Sequence, residues 1–189
     1  TAPVSDDGRT ASEPYPHQIA GRPDGVPWQR HEVAPAGSVD LGELEGARGL
    51  IIVGRAQAPL DGLGDSAARL GWPVLATALS GLRGQATVTA YHHILVDGVP
   101  ASLEPEAVIT IGAIGPSDRL GALTALDCPQ VNINPWGVWN DPRRHGAQML
   151  QADPVETLRT IAGGDDGDWA AGWKAADDLV RRALDQRLV

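Results

Sequence analysis

The sequence predicts an α/β domain with a Rossmann-like, three-layer architecture built on a mainly parallel sheet of five or six strands. Two observations lead to this prediction. Short continuous apolar runs, typical of strands that are buried on both faces, recur along the chain. Between them lie segments whose apolar residues are three or four positions apart, as on one face of a helix. Such alternation indicates parallel strands that are connected by helices on both sides of the sheet.

Regular structure is expected to begin near Leu41. Residues 1–38 contain six prolines and show no sustained periodicity, and proline interrupts both helices and sheet ladders. We therefore predict an extended, proline-rich connecting segment over residues 1–38. The Rossmann-like domain is predicted over residues 39–165, and a C-terminal helix that packs on it is predicted over residues 166–189.

Five apolar runs are predicted as the strands of this domain, each bounded by glycine, proline or polar residues. In chain order they are 49–54, 73–78, 107–112, 130–134 and 146–152. The first helix is indicated by a spacing of 3, 4 and 3 between Leu60, Leu63, Ala67 and Leu70.

Three further helices are predicted later in the chain. One is expected near residues 119–126. The next begins at Asp153, an N-cap residue that is followed by Pro154 at the first helical position. One face of the last helix is marked by Trp169, Trp173, Val180, Leu184 and Leu188.

Composition excludes several classes of function. The chain has 189 residues, with 15 basic and 24 acidic side chains and a formal net charge of −9, so its overall field disfavours binding to nucleic acid or to an anionic membrane. No apolar run approaches the roughly 18 residues of a membrane span. The N-terminus, Thr1-Ala2-Pro3-Val4, lacks a secretory pattern, so a cytoplasmic protein is expected. The single cysteine, Cys128, has no internal partner for a disulfide.

The loops that follow the strands are the places to look for a ligand site, because open parallel sheets bind ligands there. The loops 54–59 and 112–117 are rich in glycine, but neither has the G-x-G-x-x-G spacing of a dinucleotide site. A phosphate loop is also missing from the sequence. Both loops are interpreted as tight turns, and no cofactor-binding residue is assigned.

Four other groups of residues are candidates for metal, redox or ligand sites. The acidic cluster 165–168 is interpreted as a solvated turn before the last helix, because it lacks the ligand spacing of a calcium loop. His92 and His93 are adjacent and point in different directions, so they form a poor chelating pair. Cys128 is interpreted as a small buried hydrophobic residue. The run 143–145, two arginines and a histidine next to Trp139, is interpreted as a surface turn, with stacking on a planar ligand as the alternative. No catalytic or metal-ligating residue is assigned.

Arg119 is the one candidate for ligand binding. It is predicted at the start of a helix, just beyond the glycine-rich turn that follows the third predicted strand. At that rim an arginine fork is able to clamp a carboxylate. The alternative is a salt-bridged surface residue.

A longer pattern resembles a known family. The stretch 70–83, which begins Leu70-Gly71-Trp72-Pro73 and ends Leu82-Arg83, resembles the central-domain signature of 2-succinyl-5-enolpyruvyl-6-hydroxy-3-cyclohexene-1-carboxylate (SEPHCHC) synthases. These are thiamine-diphosphate-dependent transferases of menaquinone biosynthesis. Further similarity covers about residues 21–165 and includes the segments 21–28, 49–54, 139–142 and 151–154, together with Tyr91.

The resemblance implies that the chain is the central domain of a three-domain enzyme. That enzyme decarboxylates 2-oxoglutarate and adds the succinyl unit to isochorismate. Its thiamine diphosphate and Mg²⁺ are held by a pyrimidine-binding and a diphosphate-binding domain, and the sequence contains the motifs of neither. We therefore expect the fragment to be mainly structural, inactive alone and without its own cofactor. The two missing domains are its expected partners, in a homodimer or homotetramer.

The resemblance also assigns a role to Arg119. In the family, a basic residue or a basic pair near the turn after the third strand reaches the substrate carboxylates, and Arg119 matches the second position of that pair. The first position is usually Lys or Arg but is Asp118 here. Two other functions remain open: a stand-alone module that binds a nucleotide, flavin or regulatory metabolite, and a docking or oligomerisation domain that uses some of its six tryptophans.

Overall fold

The computed structural model describes residues 40–84, 86–138, 148–164 and 167–187, and the backbone path of residues 30–33. It contains six strands: β1 Arg30–Val33, β2 Gly49–Val53, β3 Val74–Ala76, β4 Ala107–Ile111, β5 Gln130–Ile133 and β6 Gln148–Gln151. The α-helices are α1 Leu63–Leu70, α2 Tyr91–Ile94, α3 Asp118–Leu123, α4 Pro154–Thr160 and α5 Gly167–Arg187. Short 3-10 turns occur at Gly42–Leu44 and Ala101–Leu103.

The strands form one sheet in the order β1-β6-β5-β4-β2-β3, and every neighbouring pair is parallel. The predicted fold class is confirmed. The chain runs outward from β2 to the edge strand β3 and then returns to β4 on the other side of β2. The direction of winding therefore reverses between β2 and β4, which is the topological switch point of the sheet.

One strand was not predicted from the sequence. β1 lies inside the segment 1–38 that was expected to be a connection, and it pairs with β6, with Arg30 opposite Gln148 and Val33 opposite Gln151. The expectation that regular structure begins near Leu41 is therefore wrong for these four residues. The nearest prolines, Pro27 and Pro35, flank the strand without interrupting it, and a strand at the edge of a sheet tolerates such neighbours.

Both faces of the sheet are buried, as the continuous apolar runs predicted. Alternate residues of β2 point to opposite sides: Ile51 and Val53 belong to the core under α1 and α4, and Leu50 and Ile52 to the core under α2, α3 and α5. The two cores lie between the sheet and the helices on either side of it, so the domain has three layers: helices, sheet and helices.

Helix α5 closes the second core. Its first two tryptophans, Trp169 and Trp173, are buried as predicted and meet edge-to-face with ring centroids 6.3 Å apart. The indole of Trp169 also donates a 2.7 Å hydrogen bond to the carbonyl of Gly49, at the start of β2. The buried face ends one helical step later at Asp177, because Val180 and Leu184 are partly exposed. Leu188 lies outside the described residues.

The sequence features predicted to begin or end the other helices do so in the structure. The carboxylate of Asp153 accepts a 2.9 Å hydrogen bond from the Glu156 N–H and so caps α4. α1 ends at Gly71, whose φ of 69° is the left-handed conformation that glycine adopts at little cost. Helix α2, a single turn, was not predicted. Within the described ranges, no helix has the length and apolar character needed to cross a membrane.

Candidate functional site

The carboxyl ends of β2 and β4 meet at the switch point, where open α/β sheets usually form a ligand crevice. Here the two loops bond to each other. The N–H of Arg55 donates to the carbonyl of Ala113 at 2.8 Å, and the N–H of Ala113 donates to the carbonyl of Arg55 at 3.2 Å. This antiparallel bridge continues the sheet across the point at which a parallel sheet normally splays apart.

Two glycines make the bridge possible. A Cβ atom on Gly54 would lie 2.1 Å from the carbonyl oxygen of Ala113, and one on Gly112 would lie 2.3 Å from that of Arg55. Gly112 also has a φ of 66°. The interpretation of both loops as tight turns agrees with this geometry, since the backbone of the chain itself fills the space between β2 and β4.

A tryptophan reaches across the same edge. Trp136 follows β5, and its indole N–H donates a 3.0 Å hydrogen bond to the carbonyl of Gln57 in the loop after β2. Its backbone N–H donates to the side-chain oxygen of the buried Asn134 at 2.9 Å. Gln57 has a left-handed φ of 55°, which is uncommon outside glycine. The loops after β2, β4 and β5 therefore form one connected surface.

Arg119 lies where the sequence placed it, in the first turn of α3 at this edge. The helix is capped by the hydroxyl of Ser117, which accepts a 3.3 Å hydrogen bond from the Leu120 N–H. The Nη1 of Arg119 donates to the carbonyl of Val96. This contact engages one nitrogen of a group that carries five N–H donors. Asp118, the neighbour that departs from the family pattern, is exposed.

The loop after β3 is held by a buried carboxylate that the sequence analysis missed. Asp177 of α5 is completely buried. Its Oδ1 accepts from the backbone N–H groups of Thr89 at 2.8 Å and Ala90 at 2.7 Å, and its Oδ2 accepts from Nε of Arg181 at 2.7 Å. The sequence does contain an indication of this role: Asp177 follows Trp173 at the i+4 position, which places a carboxylate on the apolar face of α5.

The network extends to the end of the family-like stretch. Nη2 of Arg83 donates a 3.3 Å hydrogen bond to the carbonyl of Thr89. Burial raises the pKa of the Tyr91 hydroxyl, and the charge of Arg83 opposes part of that rise. Tyr91 is therefore a neutral phenol at physiological pH, and it packs in the second core beneath the loop that carries Arg83.

The histidines and the other candidate metal or ligand residues do not come together in one site in the described part of the chain. His92 and His93 are exposed on α2, and the ring of His92 lies 4.5 Å from that of Tyr91. Among the residues that the structure describes, no three His, Cys, Asp or Glu side chains lie together as a metal site would require. The run 143–145 with Trp139, and two of the four residues in the acidic cluster 165–168, lie outside the described residues.

Cys128 is half-buried beside Asp127, and burial, aided by the charges of Asp127 and Glu104, raises the pKa of its thiol to about 11. Because the thiolate is the reactive form, alkylation at pH 7.5 is expected to be slower than for an ordinary cysteine by on the order of 100-fold. Mass spectrometry of iodoacetamide labelling measures this rate, with the urea-unfolded chain as the control. Equal rates in the folded and unfolded chain would contradict the raised pKa.

Taken together, the fold and this edge define a Rossmann-like α/β domain whose switch-point crevice is closed by its own loops. Comparison with known proteins identifies its relatives. No family model matches the chain. The chain is 36% identical over 147 residues to the SEPHCHC synthase of Halobacterium salinarum, a match that covers 72% of this chain and 25% of that protein.

Two further synthases match more of the chain. The SEPHCHC synthase of Nocardioides sp. is 31% identical over 171 residues, covering 88% of this chain and 31% of that protein. The enzyme of Saccharopolyspora erythraea is 30% identical over 176 residues, again over 88% of this chain and 29% of that protein. The chain is thus a homologue of one part of the SEPHCHC synthases, which confirms the resemblance. It spans between a quarter and a third of the length of these relatives.

Proposed function

We propose that this chain is the central domain of a SEPHCHC synthase and serves mainly as the structural domain that borders the substrate site. The similarity to three synthases over 72–88% of the chain is the observation that carries the proposal. In this proposal the complete enzyme decarboxylates 2-oxoglutarate and transfers the succinyl unit to isochorismate. It works in the cytoplasm as a homodimer or homotetramer, and the 189-residue chain alone is inactive.

The hydrogen bonds at the switch point weigh against thiamine diphosphate binding there. Its diphosphate needs backbone N–H groups that face open space, whereas those of Arg55 and Ala113 are bonded across the switch point. We therefore propose that the cofactor is held by the pyrimidine- and diphosphate-binding domains of the same enzyme.

The closed crevice also weighs against the alternative of a stand-alone nucleotide or flavin module. A nucleotide bound at the usual place would have to break the two hydrogen bonds between Arg55 and Ala113. It would also have to displace the indole of Trp136 from the Gln57 carbonyl. No observation favours that function over the synthase.

Arg119 is the residue through which we propose that this domain touches substrate. A charge-assisted hydrogen bond from its guanidinium to a substrate carboxylate would contribute about 1.5–3 kcal/mol. Arg119→Ala in the full-length enzyme is then expected to lower kcat/KM by roughly 10- to 150-fold. Arg119→Lys should restore part of the loss, because lysine keeps the charge but lacks the planar fork. Steady-state kinetics with both substrates measure the effect.

Arg55→Ala is the matched control for this experiment. Arg55 is exposed and stands at the same edge of the sheet, on the loop after β2. Equal losses from both alanine variants would indicate a general electrostatic field at this edge. An unchanged kcat/KM for Arg119→Ala would contradict the proposed contact, and an unchanged melting temperature for both variants would show that the fold is intact.

A further inference from the structure

Two arginines are bonded to the backbone at the two ends of the single turn α2. Arg83, on the loop after β3, donates from Nη2 to the carbonyl of Thr89, just before α2, at 3.3 Å. Arg119, in the first turn of α3, donates from Nη1 to the carbonyl of Val96, just after α2. Seven residues of helix rise by about 10 Å and return to the same helix face. The two guanidinium groups therefore flank one short stretch of surface.

The anchor of Arg83 is fixed through all three of its polar groups. The backbone N–H of Thr89 donates to Oδ1 of the buried Asp177 at 2.8 Å, and its hydroxyl accepts a hydrogen bond from Nη2 of Arg181. Its carbonyl accepts the hydrogen bond from Arg83. Because this anchor is fixed, the guanidinium of Arg83 is restrained before a ligand arrives, which lowers the entropic cost of binding.

Both guanidinium groups are held by uncharged acceptors and so keep their positive charge. Within the described ranges, no salt bridge joins Arg83 or Arg119 to a carboxylate. The segment 66–96 contains no acidic residue, so nothing in its own segment opposes the charge of Arg83. Asp97 and Asp118 adjoin the Arg119 end in the sequence. Arg83 is therefore the stronger attractor for an anion of the two.

The surface between the two arginines indicates the chemistry of the ligand. The side chains of His92, His93 and Val96 are exposed there. Together with Thr89, they have the i, i+3, i+4, i+7 spacing of one helix face. Two planar guanidinium groups on either side of imidazole rings and an isopropyl group suit a molecule that has two carboxylates and an apolar ring.

Of the two substrates in the proposed reaction, isochorismate has this chemistry. It has one carboxylate on its six-membered carbon ring and a second on its enol ether side chain. The other substrate, 2-oxoglutarate, also has two carboxylates, but it is an open chain without a ring to cover the exposed face of α2.

We propose that Arg83 is a second substrate-binding residue, and that Arg83 and Arg119 hold the two carboxylates of one isochorismate molecule. The inference rests on the proposed function, because isochorismate is the acceptor in that reaction. It adds a residue from the loop after β3 to the contact already proposed for Arg119, and it assigns both arginines to the same substrate.

Steady-state kinetics of the full-length synthase test the second contact. Arg83→Ala is expected to raise KM for isochorismate by roughly 10- to 150-fold, the effect of losing one charge-assisted hydrogen bond to a bound substrate. KM for 2-oxoglutarate should stay unchanged. Arg83→Lys should recover part of the loss, because lysine keeps the charge without the planar fork. Arg182→Ala, which removes an exposed arginine of α5, is the matched control and should leave both KM values unchanged.

The melting temperature of each variant separates a lost contact from a lost fold. If Arg83→Ala fails to fold, KM for isochorismate in Arg83→Lys decides, since lysine retains a donor for the Thr89 carbonyl. An unchanged KM for isochorismate, or a raised KM for 2-oxoglutarate instead, would overturn the inference.

Calorimetric titration of isochorismate into the full-length protein distinguishes this inference from the proposed reaction. A protein that binds isochorismate, and binds it at least about 10-fold more weakly after Arg83→Ala, but has no synthase activity refutes only the proposed reaction. An active enzyme that binds isochorismate equally well with and without Arg83 refutes only the second contact. A protein that neither binds isochorismate nor shows synthase activity refutes both.

Discussion

Replacing Asp177 with alanine is expected to destabilise the domain by about 2–5 kcal/mol, since each of two buried N–H groups left without an acceptor costs about 1–3 kcal/mol. The variant leaves the N–H groups of Thr89 and Ala90 buried without an acceptor, and Arg181 loses its carboxylate. Urea unfolding followed by tryptophan fluorescence measures the change, since Trp169 and Trp173 are buried beside this network. The loss is a large part of the 5–15 kcal/mol that stabilises a typical domain.

Two variants make this result interpretable. Asp177→Asn keeps one oxygen acceptor for the two N–H groups and is expected to lose clearly less stability than the alanine variant. Asp178→Ala removes the adjacent carboxylate, which is partly exposed and paired with Lys174. It should leave the free energy of unfolding unchanged within error, because such ion pairs near the surface contribute little. If Asp177→Ala and Asp178→Ala proved equally stable, the network would not hold the loop after β3.

Gly112→Ala is expected to cost about 2–5 kcal/mol, because it combines two effects. An alanine at a φ of 66° adopts a left-handed conformation that costs about 1–2 kcal/mol. Its Cβ would also overlap the backbone of Arg55, at 2.3 Å from the carbonyl oxygen, and forced overlap typically costs about 1–3 kcal/mol. Urea unfolding measures the total.

Gly64→Ala is the matched control for the glycine variant. Gly64 lies in the first turn of α1 with nothing near the position of a Cβ atom. Alanine there is expected to stabilise the domain by about 0.5–1 kcal/mol, since it restricts the unfolded chain and favours helix. Opposite signs for the two substitutions would confirm that the bridge at the switch point requires Gly112. A stable Gly112→Ala variant would show that the two loops are able to separate.

The elements that the sequence predicted well are those with strong local signals. β2 and β4 are continuous apolar runs whose residues all prove to be buried, and α4 begins with an N-cap that the structure confirms. β1 carries no such signal, because its four residues become a strand only by pairing with β6. α2 is a single turn, too short for any periodicity to appear.

The site could be predicted only in part, for a similar reason. Glycine-rich loops after β2 and β4 were evident, but the hydrogen bonds between Arg55 and Ala113 join residues that are distant in the chain. The role of Asp177 likewise depends on backbone groups 87 and 88 positions away. The sequence shows that a residue such as Asp177 is unusual at its position in a helix. Which backbone groups it bonds to depends on how distant segments of the chain are brought together by the fold. The contact between Arg119 and substrate stays a prediction.

The way in which α5 completes the second core has a consequence for the order in which the domain is made. On the ribosome, every strand and the helices α1 to α4 emerge before residues 167–187. Until then, Leu50, Ile52 and Val108 on one side of the sheet lack the cover of Trp169 and Trp173. A nascent chain in that state exposes the apolar side chains on one face of its sheet, and chaperones bind chains with such exposed hydrophobic surface. Helix α5 is therefore the last element to be made and the one that covers the second core. A truncated chain that ends before residue 167 is expected to aggregate during synthesis.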